Sequence, residues 1–143
     1  MKPQFPTRKG VHDNDPTPSN LYDVIVNRLG FIDVCQDPKR FDAIASVWHN
    51  RSYCNPPFRN KKPFVRMAVQ SNRLGREVLL YLPLDPTTSW FKELYRANAL
   101  ILIFMKRMGH SKYPHALYFL KDFRAPQLVL IENEQDVIRY LSP

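Results

Sequence analysis

The organisation of this chain is decided by one short stretch, Tyr53-Cys54-Asn55-Pro56-Pro57-Phe58, in which a strand-like segment runs into a loop. Two adjacent prolines fix the backbone and remove two N–H groups, so the loop is stiff and its carbonyls lack local partners. The Asn55 side-chain oxygen and the Pro56 carbonyl can then accept both hydrogens of one amino group. Phe58 offers a face on which a flat ring can stack. Because Asn-Pro-Pro also occurs in ordinary turns, the surrounding sequence has to decide between these interpretations.

Strand-like and helix-like segments alternate on both sides of this stretch. The hydrophobic patterns predict strands over residues 31–35, 52–54, 77–84, 100–105, 115–120 and 127–131. They predict a helix that begins near Thr17-Pro18-Ser19 and stops at Gly30, one over 63–73 that stops at Gly75, one capped by Thr87-Thr88-Ser89, and one over 136–141. Residues 41–48 read as a short helix or as irregular structure.

This alternation predicts an α/β fold. Strands that alternate with helices form βαβ units and hence a mostly parallel sheet, whereas the last two strands, joined by a short loop, predict an antiparallel hairpin at one edge. Ligands of open α/β sheets bind beyond the carboxyl ends of the strands. Asp33 and Asn55 both stand at such ends, so we expect them to share a site. Without that context, Asp33 is better explained as a helix-capping or salt-bridged carboxylate.

The length of 143 residues predicts one folded domain over 17–143, preceded by a flexible, basic and proline-rich arm over 1–16. The longest apolar run, from Ala99 to Met105, is too short to cross a bilayer. The first residues also lack the charged and apolar regions of a secretory leader. We therefore expect a cytoplasmic protein, in the host-cell cytoplasm if the source is viral.

Positive charge is concentrated around the Asn-Pro-Pro-Phe stretch. The net charge is +8. No acidic residue occurs from Ala43 to Arg76, where the first basic residue is Arg51, and none occurs from Leu94 to Lys121. A one-sided field of this kind suits a polyanion, and we favour nucleic acid over a merely solvated basic surface. The candidate phosphate contacts are Arg59, Lys61, Lys62, Arg66, Lys106, Arg107 and Lys112. For Arg107, a solvated side chain is an equally good interpretation.

The cysteines and histidines do not predict a metal site. Cys35 and Cys54 form no Cys-x-x-Cys pair, and the histidines have no metal-ligand spacing with them. The two cysteines are best interpreted as small buried apolar residues. Trp48 and Trp90 are interpreted as core residues rather than ligand contacts.

Short motifs follow one another along residues 17–122 in a specific order. They are Thr17-Pro18, Ile32-Asp33-Val34-Cys35, Trp48, Tyr53 to Phe58, Trp90-Phe91, Lys106-Arg107-Met108 and Tyr113-Pro114-His115-Ala116-Leu117. Each motif alone is weak, but their order and spacing together resemble the phage-type, Dam-like DNA N6-adenine methyltransferases. The resemblance implies a single-domain, methyltransferase-type (Rossmann-like) fold and a phage or viral source.

The resemblance also implies site residues and a cofactor, S-adenosylmethionine. Asn55-Pro56-Pro57-Phe58 would hold the adenine. Asp33 would lie near the amino group or ribose of the methyl donor, Thr17-Pro18 near its methionine end, and Cys35 in the same donor site. The substrate would be double-stranded DNA, whose target base must leave the helix to reach this loop.

Two alternatives stay open at this point. The chain could be a degenerate, non-catalytic methyltransferase fold that only binds nucleic acid, or it could methylate an RNA base or a protein amide. A second subunit could supply part of the DNA contacts, as in a homodimer.

Overall fold

The computed structural model describes residues 16–57, 59–106 and 113–143, in which six strands form one sheet between two layers of helices. The strands are β1 (Ile32–Asp33), β2 (Ser52–Cys54), β3 (Val78–Pro83), β4 (Leu100–Phe104), β5 (His115–Leu120) and β6 (Gln127–Ile131). The helices are α1 (Ser19–Tyr22, continued as a π-helix over Asp23–Arg28), α2 (Lys61–Arg73), α3 (Ser89–Arg96) and α4 (Glu134–Leu141). None of the described helices is long and apolar enough to cross a membrane.

The sheet confirms the predicted α/β class but not the predicted edge hairpin. Its strand order is β1-β2-β3-β5-β4-β6, and β5 alone runs opposite to the other strands. β5 pairs with β3 and β4, while β6 pairs with β4 in parallel. The prediction of an antiparallel hairpin at the edge is therefore wrong, because the reversed strand lies inside the sheet.

β4 lies between β5 and β6. Both of its edges are hydrogen-bonded, one to β5 and one to β6, and its side chains from Leu100 to Leu102 are buried on the faces of the sheet. β6 exposes Leu128 and Leu130, which is compatible with a place at the edge of the sheet. The loop between β5 and β6 is held beside the start of β4, because Asn98 Nδ2 donates a hydrogen bond to the Phe123 carbonyl (3.2 Å).

Alternate residues of β3 point into two separate cores. Leu80 packs in a core with α2 and α3, and Leu79 and Tyr81 pack in a core with α1 and α4. Trp48 and Trp90 are buried in the first of these cores, as predicted. The segment 41–48 is irregular, and it is held by a hydrogen bond from Trp48 Nε1 to the Ala43 carbonyl (2.7 Å).

Most element ends lie close to the predicted ones. Gly30 and Gly75 follow α1 and α2 with φ of +78° and +92°, a conformation that favours glycine. Thr88 Oγ1 accepts a hydrogen bond from the Phe91 N–H (3.2 Å) and so caps α3 as predicted. β1 is shorter than predicted, and α2 begins at Lys61, before the predicted start.

Arg51 is a structural residue, although the sequence places it in the basic run. Its Nη1 donates to Glu77 Oε1 (2.7 Å), and its Nη2 donates to the carbonyls of Leu29 (3.0 Å) and Leu141 (3.1 Å). These contacts tie the start of β2 to α1 and α4. Glu77, directly beyond the acid-free run, thus neutralises Arg51, and the basic segment begins at Arg59.

Candidate active site

The carboxyl ends of β1 and β2 meet at a cavity of about 590 Å³, which we call the first cavity. The two strands are parallel and place Asp33 beside Tyr53, so their carboxyl ends lie at the same edge of the sheet. The cavity brings together the predicted site residues Thr17, Asp33, Cys35 and Asn55. Its described lining is Pro16, Thr17, Ser19, Tyr22, Asp23, Asn27, Asp33, Cys35, Gln36, Tyr53 and Asn55.

Asn55 is connected through Thr17 to the buried Tyr53. Asn55 Nδ2 donates a hydrogen bond to Thr17 Oγ1 (3.4 Å), and the same hydroxyl is hydrogen-bonded to the Tyr53 phenol. Burial raises the pKa of Tyr53 well above its usual value, so the phenol stays protonated at neutral pH. Pro18 does not line the cavity, but its carbonyl accepts the Tyr22 N–H (2.9 Å) at the start of α1. The start of α1 is thus tied to the end of β2.

The Asp33 carboxylate is held by two donors. The Tyr22 hydroxyl donates to Oδ2 (2.8 Å), and the Cys35 N–H donates to Oδ1 (3.0 Å). Burial, followed by the interaction with Asp33, raises the pKa of Tyr22 to about 12, so the phenol remains a donor at neutral pH. Among the described residues Asp33 takes part in no salt bridge and caps no helix. Its side chain lines the first cavity instead.

Cys35 and Cys54 form a disulfide, with Cα atoms 5.3 Å apart. Our interpretation of them as separate small apolar residues was therefore wrong. The register of β1 and β2 places Asp33 beside Tyr53 and would place Val34 beside Cys54. β1 ends at Asp33, and the turn that follows brings Cys35 to Cys54. The bond joins the segment after Asp33 to the residue before Asn55. It therefore connects both predicted halves of the site.

The Asn-Pro-Pro segment leads from β2 into a turn. Asn55 is half-buried, Pro56 is buried and Pro57 is exposed. The Pro57 carbonyl accepts a hydrogen bond from the Asn60 N–H (3.2 Å), just before α2 begins. Phe58 lies outside the described residues, so its predicted stacking role stays a prediction.

A second cavity, of about 600 Å³, opens beyond the carboxyl end of β3. Three of the predicted phosphate contacts, Arg59, Lys61 and Lys62, contribute to its lining. The remaining described residues that line it are Asn60, Pro63, Pro83, Leu84, Asp85, Thr88, Ser89, Trp90, Tyr113 and Pro114. Two of the motifs on which the family resemblance depends, at Trp90 and at Tyr113-Pro114, therefore contribute to this cavity.

The other predicted phosphate contacts that the structure describes, Arg66 and Lys106, line neither cavity. Arg66 is exposed on α2, and Lys106 is exposed after β4. Arg107 and Lys112 lie outside the described residues. The structure thus groups the first part of the basic segment and leaves the rest dispersed or undescribed.

Sequence reasoning missed the two tyrosines that organise the first cavity. Tyr53 belongs to the motif that was singled out, and strand alternation could have placed it on the face opposite Cys54. Tyr22 gives no comparable signal, because its role depends on how α1 packs against the sheet. Their rings meet edge to face, with centroids 6.2 Å apart.

Comparison with known proteins agrees with the predicted resemblance. A family model described as DNA N-6-adenine-methyltransferase (Dam) matches residues 4–136. The comparison with curated proteins and the comparison with solved structures found no match. The family match spans nearly all of the 143 residues, including both cavities. The chain therefore belongs to the DNA N-6-adenine-methyltransferase (Dam) family.

Proposed function

We propose that this protein uses S-adenosylmethionine to methylate adenine N6 in DNA, with the donor in the first cavity. Family membership indicates the reaction in general terms. The observation that most directly supports this arrangement is that one cavity collects Asp33 and Asn55 from the ends of two adjacent parallel strands. A DNA substrate is compatible with the cytoplasmic location that the sequence predicts.

The chemistry of the first cavity fits the proposed donor. S-adenosylmethionine carries positive charge at its sulfonium and amino groups, and the described lining offers the carboxylates of Asp23 and Asp33 without any Lys or Arg. The hydroxyls of Ser19 and Tyr22 add hydrogen-bonding partners. A volume of about 590 Å³ lies within the range of about 300–1,000 Å³ that small-molecule sites occupy. When bound, the donor supplies the electrophilic methyl group.

Asp33 is suited to orient the donor. Its carboxylate is held on both oxygens by Tyr22 and Cys35, so little side-chain freedom remains to be lost on binding. Each carboxylate oxygen can accept more than one hydrogen bond. We assign Asp33 to the amino group or ribose of the donor.

Asn55 and Pro56 are suited to activate the acceptor. The adenine amino nitrogen is a weak nucleophile because its lone pair is delocalised into the ring. The Asn55 Oδ1 and the Pro56 carbonyl would polarise its two N–H bonds and localise the lone pair for in-line attack. The hydrogen bond from Asn55 Nδ2 to Thr17 fixes the orientation of the amide, with Oδ1 as its acceptor end.

The test is direct transfer of a labelled methyl group. The protein is incubated with methyl-labelled S-adenosylmethionine and mixed-sequence duplex DNA, and the DNA is then digested to nucleosides. We expect the label in N6-methyl-2′-deoxyadenosine. Parallel reactions with RNA and with protein test the two alternative acceptors.

Two variants provide the controls. Asn55→Ala should lower transfer by about 10²–10³-fold. Asn20→Ala, at an exposed position of α1 that does not line the cavity, should match the wild type. Calorimetry with S-adenosylmethionine shows whether each protein binds the donor. A folded, donor-binding wild type that labels no adenine in DNA would rule out the proposed reaction.

A further inference from the structure

β6 is the edge strand of the sheet, and no other described strand pairs with its outer side. Each residue of a strand directs both its N–H and its C=O to one side, and successive residues alternate between the two sides. The Gln127 N–H donates to the Ala99 carbonyl (3.1 Å) and therefore faces β4. Leu128 and Leu130 consequently direct their N–H and C=O groups away from β4. They form a short row of backbone donors and acceptors that suits a further strand.

The same two residues expose apolar side chains. Leu128 is 54% exposed and Leu130 is 64% exposed, and their register partners in β4 are Ile101 and Ile103. Edge strands of natural proteins usually carry charged residues or proline, which oppose pairing with another chain. The five residues of β6 include neither a charged residue nor a proline. The outer side of β6 therefore has both the backbone groups and the apolar side chains that an added strand requires.

Both ends of β6 are held in place. Before the strand, Asn98 Nδ2 donates a hydrogen bond to the Phe123 carbonyl (3.2 Å). After the strand, the Glu132 N–H donates to Asp136 Oδ2 (2.8 Å), and Asn133 caps α4. The edge thus has its conformation before it meets a partner, so little chain entropy remains to be lost on pairing.

The surface around β6 is close to neutral, although the chain as a whole is strongly cationic. Residues 121–139 carry three basic and four acidic side chains, whereas the net charge of the chain is +8. Two copies therefore repel each other least along this surface. The charges at the two ends of β6 are also opposite, because the exposed Arg124 precedes the strand and the exposed Glu132 follows it. Antiparallel pairing of two copies brings Arg124 towards Glu132 of the partner subunit at both ends of the pair.

We propose that two copies of this chain form a homodimer by antiparallel pairing of their β6 strands. Leu128 lies opposite Leu130 of the partner subunit, and the two-fold axis passes beside Val129. In this register both outward-facing residues of each copy exchange backbone hydrogen bonds, and two six-stranded sheets become one continuous sheet. No residue of β6 lines either cavity, so this inference does not depend on the proposed reaction.

Sedimentation velocity over a series of protein concentrations measures the assembly. The wild type should change from a monomer of 16.9 kDa to a species of twice that mass as its concentration rises. Leu128→Lys/Leu130→Lys places like charges opposite each other and should keep the protein monomeric. Leu74→Lys is the matched control, because Leu74 is 61% exposed at the end of α2, and this variant should dimerise like the wild type. Circular dichroism shows whether each variant keeps its fold.

An exchange of charges tests the antiparallel arrangement without altering β6 itself. Arg124→Glu alone and Glu132→Arg alone each put like charges at both ends of the pair, so each should weaken dimerisation by about 2- to 30-fold. An equimolar mixture of the two variants has opposite charges at both ends again. The mixture should therefore dimerise about as tightly as the wild type. Absence of this recovery would exclude the proposed arrangement.

Amide hydrogen exchange locates the pairing on the backbone. The N–H groups of Leu128 and Leu130 should become protected as the protein concentration rises, whereas that of Val129, which faces β4, should not change. A wild type that stays monomeric at every concentration, or a dimer that persists in Leu128→Lys/Leu130→Lys, would overturn the proposal. These assays contain neither methyl donor nor DNA. A failure to dimerise therefore leaves the proposed function intact, and a failure to transfer methyl groups leaves this inference intact.

Discussion

Loss of the Cys35–Cys54 disulfide should lower the free energy of unfolding by about 3 kcal/mol. The cysteines are 19 residues apart in the sequence, and closing a loop of that size removes roughly this much chain entropy from the unfolded state. The bond also connects the segment after Asp33 to the residue before Asn55. We therefore expect its loss to weaken donor binding as well as stability.

Urea unfolding with and without a dithiol reductant measures the first effect. The wild type in reductant should fall to the stability of the Cys35→Ser/Cys54→Ser double variant, which should not respond to the reductant. Thiol alkylation followed by intact mass shows which redox state each sample holds. Calorimetry with S-adenosylmethionine on the same samples measures the second effect.

Two results would refute this reasoning. Alkylation of both cysteines in the protein purified without reductant would show that they do not pair. A wild-type unfolding free energy that is unchanged by reductant would show that the bond does not constrain the chain. If stability falls while donor affinity does not, the bond secures the fold alone.

Three further predictions concern the first cavity. Asn55→Ala removes one acceptor of the amino group, so it should lower kcat by about 10²–10³-fold and leave donor affinity nearly unchanged. Single-turnover kinetics and calorimetry measure the two effects. Retention of more than about a tenth of the activity would make Asn55 a turn residue. Asp33→Ala should weaken donor binding but not DNA binding in separate titrations, and the reverse pattern would exclude Asp33 from the donor site. The free energy of unfolding should fall as the pH rises from 10 to about 12, because the folded state keeps the Tyr22 proton that the unfolded state loses. In urea unfolding across this range, Tyr22→Phe should show a smaller fall. An equal fall would show that the raised pKa of Tyr22 is not its cause.

Local signals in the sequence predicted local structure well. Glycine at φ > 0 ended α1 and α2, a Thr88 hydroxyl capped α3, and the buried run from Val78 to Pro83 became a strand. The site residues at strand ends were also brought together, because parallel neighbours end at one edge. These features depend on a few adjacent residues or on one register.

Features that depend on distant partners were not predictable in this way. A short loop between β5 and β6 suggests a hairpin, and only the pairing of β4 with both strands shows that β4 separates them. Arg51 belongs to an acid-free run in the sequence, but its ion pair with Glu77 forms across the fold. The Cys35–Cys54 pairing likewise depends on the turn after β1, which brings Cys35 beside the end of β2.

The position of β5 inside the sheet has a consequence for the site. If β5 lay in an edge hairpin, its first residues would be far from the loop at Asn55. In the interior of the sheet, β5 runs antiparallel to β3, so it begins at the edge where β3 ends, and His115 pairs with Pro83. This reversal brings Tyr113 into the second cavity with Arg59 and Lys62. One reversed strand therefore places an aromatic and cationic surface at the same edge of the sheet as the first cavity. In the proposed function, the acidic lining of the first cavity suits the cationic donor, and the basic lining of the second cavity suits the phosphates of the DNA strand.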